Sequence, residues 1–143
     1  MALEILVNDQ VGNVSERALE VNGLDLPSIR YEGWDVVDAA EAVSAFISKV
    51  RKKTGSSSLY SVGHNVAFDT AYMRRLFHLA EERCPKEFSF NRSIDTHAML
   101  YLRGDPTSLD RALKKYDIPY GLGRHTALAD AKLTATLYWR LTE

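Results

Sequence analysis

Residues 59–69 read LYSVGHNVAFD, a short apolar run that reaches a glycine and then leads into an acidic residue. The run Leu59–Val62 has the length of a buried strand, and Gly63-His64-Asn65 supplies a turn after it. The next residues predict a helix, because apolar residues recur there at helical spacing. Asp69 falls on the same stripe as the apolar Met73, Leu76 and Ala80. The stretch therefore predicts a strand, a turn and a helix, with Asp69 near the carboxyl end of the strand, where α/β proteins form their sites.

The rest of the chain alternates strand and helix patterns around this unit. Leu3–Val7 reads as an opening strand, and a helical pattern begins at Asp35 and ends at Gly55. A further strand is predicted near Ser93-Ile94, and Ser108 is placed to cap a later helix. Alternation of this kind predicts an α/β fold.

Composition limits the class of protein. The chain has 143 residues, 45% hydrophobic and 26% charged, and no break in composition, which predicts a single domain over 1–143. A net charge of −1 argues against a protein that coats long nucleic acids. The lone Cys84 excludes an internal disulfide and favours a reducing, cytoplasmic location. No segment approaches the ~20 apolar residues of a membrane span, so no membrane partner is expected.

A second stretch, residues 124–130, reads RHTALAD and also ends in an acid that opens a helical pattern. The pattern behind Asp130 continues with Thr134, Leu137 and Leu141. Thr126 can cap this helix. His125 precedes Asp130 by five residues, about 500° of helical rotation, so the two side chains cannot share a helix face and the histidine is predicted to lie in the preceding loop.

An acid in the first turn of a helix has two interpretations. Either Asp69 or Asp130 alone is adequately explained by the positive end of the helix dipole. Two carboxylates held against packed surfaces are costly unless a cation compensates them, so together they indicate a shared metal site. A similar ambiguity concerns Ala127, Ala131 and Ala135, which either let the last helix approach its neighbours closely or are simply good helix formers.

Four segments of the chain resemble motifs of a known family. Residues 64–69, HNVAFD, closely resemble the second exonuclease motif of the DEDDh, or DnaQ-like, 3′–5′ exonucleases. Residues 125–131, HTALADA, resemble the third motif. The sequences SIDT at 93–96 and YDIP at 116–119 resemble what the family places between the two. The resemblance covers nearly the whole chain, and its specificity comes from the agreement of residue types, order and separation.

The resemblance implies a fold, an activity and a site. The fold would be ribonuclease H-like, with three layers and a mixed sheet. The activity would be release of nucleoside monophosphates from DNA or RNA 3′ ends, with two divalent cations, Mg²⁺ or Mn²⁺, held by four acids. By resemblance, Asp69 and Asp130 are catalytic metal ligands and His125 is the catalytic base that activates water. Asn65 and Phe68 would lie near the bound terminal nucleotide, although Phe68 is also explained as a core residue.

The sequence departs from the family at the first motif, an acidic-x-acidic pair on the opening strand. No Asp or Glu of this chain is followed by another acid two positions later. Residues 3–7 and 14–24 instead look like the family's third strand and the loop after it. The resemblance therefore implies a domain truncated at its N-terminus, missing its first strands, with a sheet completed by another copy of the chain or by a partner chain. Glu4 or Asp9 is an alternative source of a third acid.

Two other functions stay open. The chain could be a catalytically incomplete relative that serves as a nucleic-acid-binding or assembly module, or an unrelated metal-dependent phosphohydrolase. Basic runs at 51–53, 74–75 and 114–115 are typical of solvated helix faces and receive no role. The remaining histidines, His64, His78 and His97, are interpreted as structural or exposed.

Overall fold

A computed structural model describes residues 1–8, 15–120 and 126–143 of the chain. Helices precede, separate and follow two strands, which confirms the α/β prediction. In chain order the elements are α1 (Glu16–Asn22), α2 (Leu26–Glu32), α3 (Val36–Thr54), β1 (Leu59–Gly63), α4 (Val66–Leu79), β2 (Phe88–Asp95), α5 (Thr96–Leu102), α6 (Leu109–Lys115) and α7 (Ala127–Thr142).

The predicted helix boundaries agree with the capping residues. Asp35 accepts a hydrogen bond from the Val37 N–H at 2.9 Å and begins α3. Gly55 ends the same helix with φ +67°, a left-handed conformation that glycine adopts without steric cost. Thr126 accepts a hydrogen bond from the Ala129 N–H at 3.2 Å, as predicted for the cap of α7.

The two strands β1 and β2 are parallel, and the sheet contains these two strands within the described ranges. Val62 pairs with Ile94 and Gly63 pairs with Asp95. The prediction that β1 is buried was wrong, because Tyr60 is 59% exposed and the alternate residues are half-buried. The mixed sheet, the three layers and the missing first strands of the predicted fold stay predictions.

The predicted opening strand is reduced to one parallel bridge between Val7 and Trp34. Trp34 donates its N–H to the Leu6 carbonyl at 2.8 Å and accepts from the Asn8 N–H at 2.9 Å. Leu3, Ile5 and Val7 are alternate residues of the segment and line a groove of about 390 Å³ beside α3 and α4. The segment is therefore extended, as its sequence indicated, but it is not part of the β1–β2 sheet.

Two apolar clusters form the core among the described residues. The larger lies among α5, α6 and α7, and its buried members are Leu100, Ala112, Leu113, Ile118, Leu137 and Leu141. The smaller joins α3 to α4 and has Ala40, Phe77 and Ala80 as its buried members.

The helix α7 packs through one face. Its buried residues are Thr134, Leu137 and Leu141, as the spacing behind Asp130 indicated. Ala127, Ala131 and Ala135 are exposed, so the interpretation of the alanines as a close-packing stripe was wrong. None of the described helices combines the length and the apolar character needed to span a bilayer.

Candidate active site

Gly63 ends β1 where the following chain turns back against it. A Cβ atom on this residue would lie 2.9 Å from the Val66 Cβ and 3.1 Å from the Asp69 Oδ2. Both distances are too short for ordinary contacts, so only glycine lets α4 start this close to the strand. The sequence Gly63-His64-Asn65 thereby brings the Asp69 carboxylate against the carboxyl end of β1, as predicted.

Asn65 stands at the start of α4 in a left-handed conformation, with φ +62°. Asparagine is one of the few residues other than glycine that adopts this region at modest cost. Its backbone N–H donates to the Asp95 Oδ1 at 2.9 Å, and the same oxygen accepts from the His97 N–H at 2.9 Å. Asp95 therefore caps α5 and also fixes the turn that leads to Asp69.

Thr96 provides a second link between the two strand ends, and it is completely buried. Its hydroxyl donates to the Gly63 carbonyl at 3.1 Å, and the same oxygen lies 3.0 Å from the His64 Nδ1. Because the hydroxyl has one proton and gives it to the carbonyl, the ring nitrogen is the donor in the second contact. Burial lowers the pKa of His64, which agrees with a neutral ring in this position.

Asp69 is an exposed residue, so the prediction that it belongs to the packed stripe of α4 was wrong. Its pKa is raised above the usual range, mainly because partial burial disfavours the charge and also because Asp95 repels it. No cationic side chain forms an ion pair with it in the part of the chain that the structure describes. The carboxylate thus stands against the strand end without a compensating charge.

Asp130 lies in the first turn of α7 and is half-buried. The helix contacts β1, the strand against which the Asp69 carboxylate lies. The convergence of the two carboxylates on one cation stays a prediction. His125 lies outside the described residues, and so its predicted place in the loop before α7 stays a prediction as well.

Phe68 is 61% exposed, so its interpretation as a core residue was wrong. Its ring contacts the ring of Tyr72 in a tilted arrangement, with centroids 4.7 Å apart. Tyr72 is 59% exposed. The two aromatic side chains stand one helical turn apart on α4, beside Asp69, and offer flat surfaces to solvent.

Glu4 reaches the start of α7 from the N-terminal segment. Its Oε1 accepts a hydrogen bond from the Leu128 N–H at 3.4 Å, two residues before Asp130. The contact places a third carboxylate at the helix end that carries one of the predicted metal ligands. Asp9, the other alternative, lies outside the described residues.

Comparison with known proteins assigns the family. Residues 28–141 match the model of the 3′-5′ exoribonuclease Rv2179c-like domain. The chain belongs to this family. The assignment confirms the resemblance to the DnaQ-like 3′–5′ exonucleases, while the finer DEDDh designation stays a prediction.

Two curated relatives are similar to this member of the Rv2179c-like family. Ribonuclease T of Hahella chejuensis (strain KCTC 2396) is 31% identical over 129 residues, which cover 88% of this chain and 58% of the relative. The 3′-5′ DNA exonuclease Cap18 of Escherichia coli is 29% identical over 126 residues, which cover 85% of this chain and 64% of the relative. The chain therefore spans less than two thirds of the length of either relative.

The side chains present fit a divalent cation by their chemistry. Mg²⁺ takes oxygen ligands and is commonly held by one or two protein carboxylates together with water and substrate phosphates. Asp69 meets this requirement because its carboxylate is exposed and no cation neutralises it in the described part of the chain. Residues 1–8, 15–120 and 126–143 contain no group of three or more His, Cys, Asp or Glu that could hold a metal ion. A site built from Asp69 and Asp130 would thus rely on the substrate for further ligands.

Three contributors to this site were missed in the sequence. Tyr72 could have been found, because it lies four residues after Phe68 and helical residues at that spacing are neighbours. Asp95 and Thr96 carried a helix-start signal, since an Asp before an apolar helical pattern is a cap. Their second role, in fixing the turn after β1, depends on the parallel pairing of two strands about thirty residues apart, which no local pattern reveals.

Proposed function

We propose that this chain removes nucleoside monophosphates from nucleic-acid 3′ ends by metal-dependent hydrolysis. The observation that supports the proposal most strongly is the uncompensated Asp69 carboxylate at the end of β1, beside two exposed aromatic rings. A carboxylate kept without a partner costs stability, and such groups are concentrated at functional sites. The names of the family and of the two relatives point to the same reaction class.

The roles follow from the chemistry of each group. Asp69 and Asp130 would hold divalent cations, Mg²⁺ or Mn²⁺. When bound, two such ions lower the pKa of the attacking water and stabilise the leaving 3′ oxygen. His125 would accept the proton of the water, because imidazole titrates near neutral pH. Phe68 and Tyr72 would stack on the terminal bases, a contact that accepts every base because each has a flat face.

Glu4 is the candidate for a third carboxylate of this site. Its contact with the start of α7 supports this role, since it brings the side chain to the helix end that carries Asp130. Glu4→Gln keeps the shape and the hydrogen-bonding capacity while removing the charge. If Glu4 contributes to metal binding, this variant needs a higher Mn²⁺ concentration for half-maximal activity, whereas unchanged Mn²⁺ dependence would exclude the role.

The decisive experiment follows 5′-labelled RNA and DNA oligonucleotides on a gel with Mg²⁺ or Mn²⁺. Asp69→Ala and Asp130→Ala should each lose more than about a hundredfold in rate, because each removes a metal ligand. Asp38→Ala is a matched control for Asp69→Ala, because Asp38, like Asp69, is an exposed acid in the first turn of a helix. Full turnover after either change at position 69 or 130 would contradict the proposal.

The role of His125 is tested by the pH dependence of the rate. His125→Ala should cost about a hundredfold or more and remove the acidic limb of the profile. The exposed His78 provides the control variant, His78→Ala, which should keep both the rate and the limb. An unchanged acidic limb in His125→Ala would assign the proton transfer to another group.

The alternative function is a nucleic-acid-binding or assembly module without catalysis. The absence of a group of three potential ligands from the described ranges favours it. A fluorescent oligonucleotide separates the two functions, since an enzyme shortens it in the presence of Mn²⁺ and a module binds it without shortening. Nucleotide esters assayed in parallel test a phosphohydrolase that acts on small substrates.

We also propose that another strand, from a second copy or a partner chain, extends the sheet. Within the described ranges β1 pairs on one side only, with β2, and the exposed Tyr60 and Val62 lie on this edge strand. An unpaired strand edge offers N–H and C=O groups to another strand. Sedimentation over a range of concentrations tests the second copy, and a Val62→Pro variant, which removes a strand N–H, should weaken any dimer that forms this way.

A further inference from the structure

A second charged surface lies at the end of the β1–β2 pair opposite to Asp69. It is a concave site of about 770 Å³ beside the loop that enters β1. We call it the basic site, and its residues are Arg51, Lys52, Gly55, Ser56, Ser57, Ser58, Lys86, Glu87 and Arg92. Most of these residues stand just before the first residues of β1 and β2, whereas Asp69 lies against the last residue of β1.

The basic site has an excess of positive charge in a chain whose net charge is −1. Arg51 and Glu87 form an ion pair with a separation of 2.9 Å and largely cancel each other. Lys52, Lys86 and Arg92 are exposed and form no ion pair within the described ranges. Three cations around one concavity repel one another, so an anion that binds there removes an unfavourable interaction.

The loop of the basic site is shaped by its own hydrogen bonds. The Ser56 hydroxyl donates to the Ser58 carbonyl at 2.6 Å, and the Leu59 N–H donates to the Glu87 carbonyl at 2.8 Å. Ser57 is exposed at the tip, and its hydroxyl and amide form no hydrogen bond to other described residues. The loop therefore presents neutral donors among the three cations.

The lining indicates which anion fits. None of the described residues that line the basic site is aromatic, so they offer no surface on which a base could stack. Cationic and hydroxyl groups are the ones that contact phosphate oxygens, and such contacts fix the position of a strand without reading its sequence. The concavity is larger than one phosphate group requires, so it can hold adjoining phosphates of one strand.

We propose that the basic site binds the phosphodiester backbone of a nucleic-acid strand whose 3′ end lies at Asp69. The second half of this statement rests on the proposed exonuclease function, whereas the binding of phosphodiesters does not. A strand of five residues is about 16 Å long at ~3.3 Å per residue. Phosphates of a stacked helical strand are ~3.4 Å apart along the axis and those of an extended single strand are farther apart, so the basic site contacts the substrate within about five nucleotides of its end.

The test measures binding without turnover. A 5′-fluorescein-labelled single-stranded RNA of twelve nucleotides is titrated with the full chain in EDTA at several salt concentrations, and anisotropy is recorded. Lys86→Gln with Arg92→Gln removes two cations of the basic site. Lys49→Gln with Lys53→Gln is the matched control, because both lysines are exposed on α3 and lie outside the basic site.

The site variant should bind about tenfold more weakly than the unmodified chain. Its plot of log affinity against log salt should be less steep by about 1.4, which is ~0.7 for each phosphate of a single strand that the variant no longer neutralises. The control variant should change neither quantity appreciably. Equal weakening in both variants, or an unchanged slope in the site variant, would overturn the proposal, as would tighter binding of polyglutamate than of the RNA.

Substrate length provides the second measurement. The site variant should shorten the twelve-nucleotide RNA more slowly but act on a dinucleotide at the unmodified rate, because the single internucleotide phosphate of a dinucleotide cannot lie at Asp69 and at the basic site together. Absence of shortening by the unmodified chain would contradict the exonuclease function and leave the binding result in EDTA to decide the basic site. Circular dichroism verifies folding, and Lys52→Gln, with an expected slope change of about 0.7, is the second variant if the double change prevents folding.

Discussion

Two turns of the molecule hold their carboxylates in opposite environments. One is the first helical turn of α4, which carries Asp69, and the other is the turn after α5, which carries Asp105. The Asp105 side chain is only 6% exposed and contacts the Lys115 amine and the Tyr116 hydroxyl, with the Arg103 Nε 3.6 Å away. The hydrogen bond from Lys115 is the main reason that the pKa of Asp105 lies below its usual range. Asp69 is exposed, lacks a cation in the described part of the chain, and has a raised pKa.

The surroundings of the two turns also differ in exposure, since a buried apolar cluster lies near Asp105 and exposed aromatic rings lie near Asp69. Asp105 follows α5 and lies beside the larger apolar cluster, in which Leu100, Leu113 and Leu137 are completely buried. Asp69 stands beside the exposed rings of Phe68 and Tyr72. One region uses its acid to hold the fold together, and the other keeps an acid and two aromatic side chains accessible. The comparison teaches that the partners of an acid, rather than its position in a helix, separate a structural role from a functional one.

The largest effect is expected in the packed region. Leu113→Ala should lower the free energy of unfolding by about 2–5 kcal/mol, because it removes a completely buried side chain and leaves a cavity. Leu102→Ala is the control, since Leu102 is 84% exposed. Urea denaturation monitored by circular dichroism measures both. Similar small effects of the two changes would contradict the assignment of the larger cluster as the core.

The next effect concerns the link between the strand ends. Thr96→Val keeps the shape but leaves the Gly63 carbonyl and the His64 ring nitrogen without the hydroxyl, which should cost about 1–3 kcal/mol. The turn before Asp69 loses an anchor, so the exonuclease rate should also fall. Thr96→Ser retains the hydroxyl and should restore most of the rate. A rate that follows side-chain volume instead of the hydroxyl would exclude a positioning role for Thr96.

A smaller effect is expected at Asp105. Asp105→Asn should lower the melting temperature at pH 7, because the lowered pKa means that the folded state prefers the ionised carboxylate. This contribution is present above the unfolded pKa and is lost as the pH falls through the folded pKa, so the two proteins should converge in acid. Lys115 and Arg103 are about half-exposed, and water therefore weakens the interaction. A difference that persists unchanged in acid would show that charge is not its cause.

Local patterns predicted the parts of the fold that local forces determine. Asp35 and Gly55 bound α3, and Thr126 caps α7, because each residue satisfies backbone groups of its own helix. The strand, turn and helix around Gly63 were predicted from local sequence as well, because an apolar run, a glycine and apolar residues at helical spacing follow one another there. The opening strand was not formed as predicted, since a strand depends on its neighbours in the sheet, and the β-type pairing of residues 1–8 within the described ranges is a single bridge from Val7 to Trp34.

The site was predicted in its residue types more than in its environments. The motif around Asp69 identified the acid and its place at the strand end, but helical spacing alone put it on the packed stripe. The partner of Asn65 could not be predicted, because Asp95 is thirty residues away in sequence and becomes adjacent only through the parallel pairing of β1 with β2. The roles of Asp130 and His125 stay predictions for the same physical reason, since convergence is a property of tertiary structure.

The smallest effect on stability, and the only one with the opposite sign, is expected at Asp69. Its raised pKa means that the folded state prefers the neutral carboxyl, so this preference contributes stability at low pH that is lost as the pH rises through the folded pKa. Asp69→Asn mimics the neutral form. The variant should therefore melt slightly higher than the unmodified chain at pH 7 in EDTA, and the two should converge in acid.

If Asp69 is a metal ligand, cation binding reverses the order of the two melting temperatures, so that the unmodified chain melts higher than Asp69→Asn. Mn²⁺ should raise the melting temperature of the unmodified chain, because a ligand that binds only the folded state stabilises it, and should leave Asp69→Asn nearly unchanged. Asp38→Asn, which alters another exposed acid in a first helical turn, should respond to Mn²⁺ as the unmodified chain does. A lower melting temperature of Asp69→Asn at pH 7 in EDTA would place Asp69 with Asp105 among the structural acids. The contrast between the two turns, on which the functional assignment of Asp69 depends, would then disappear.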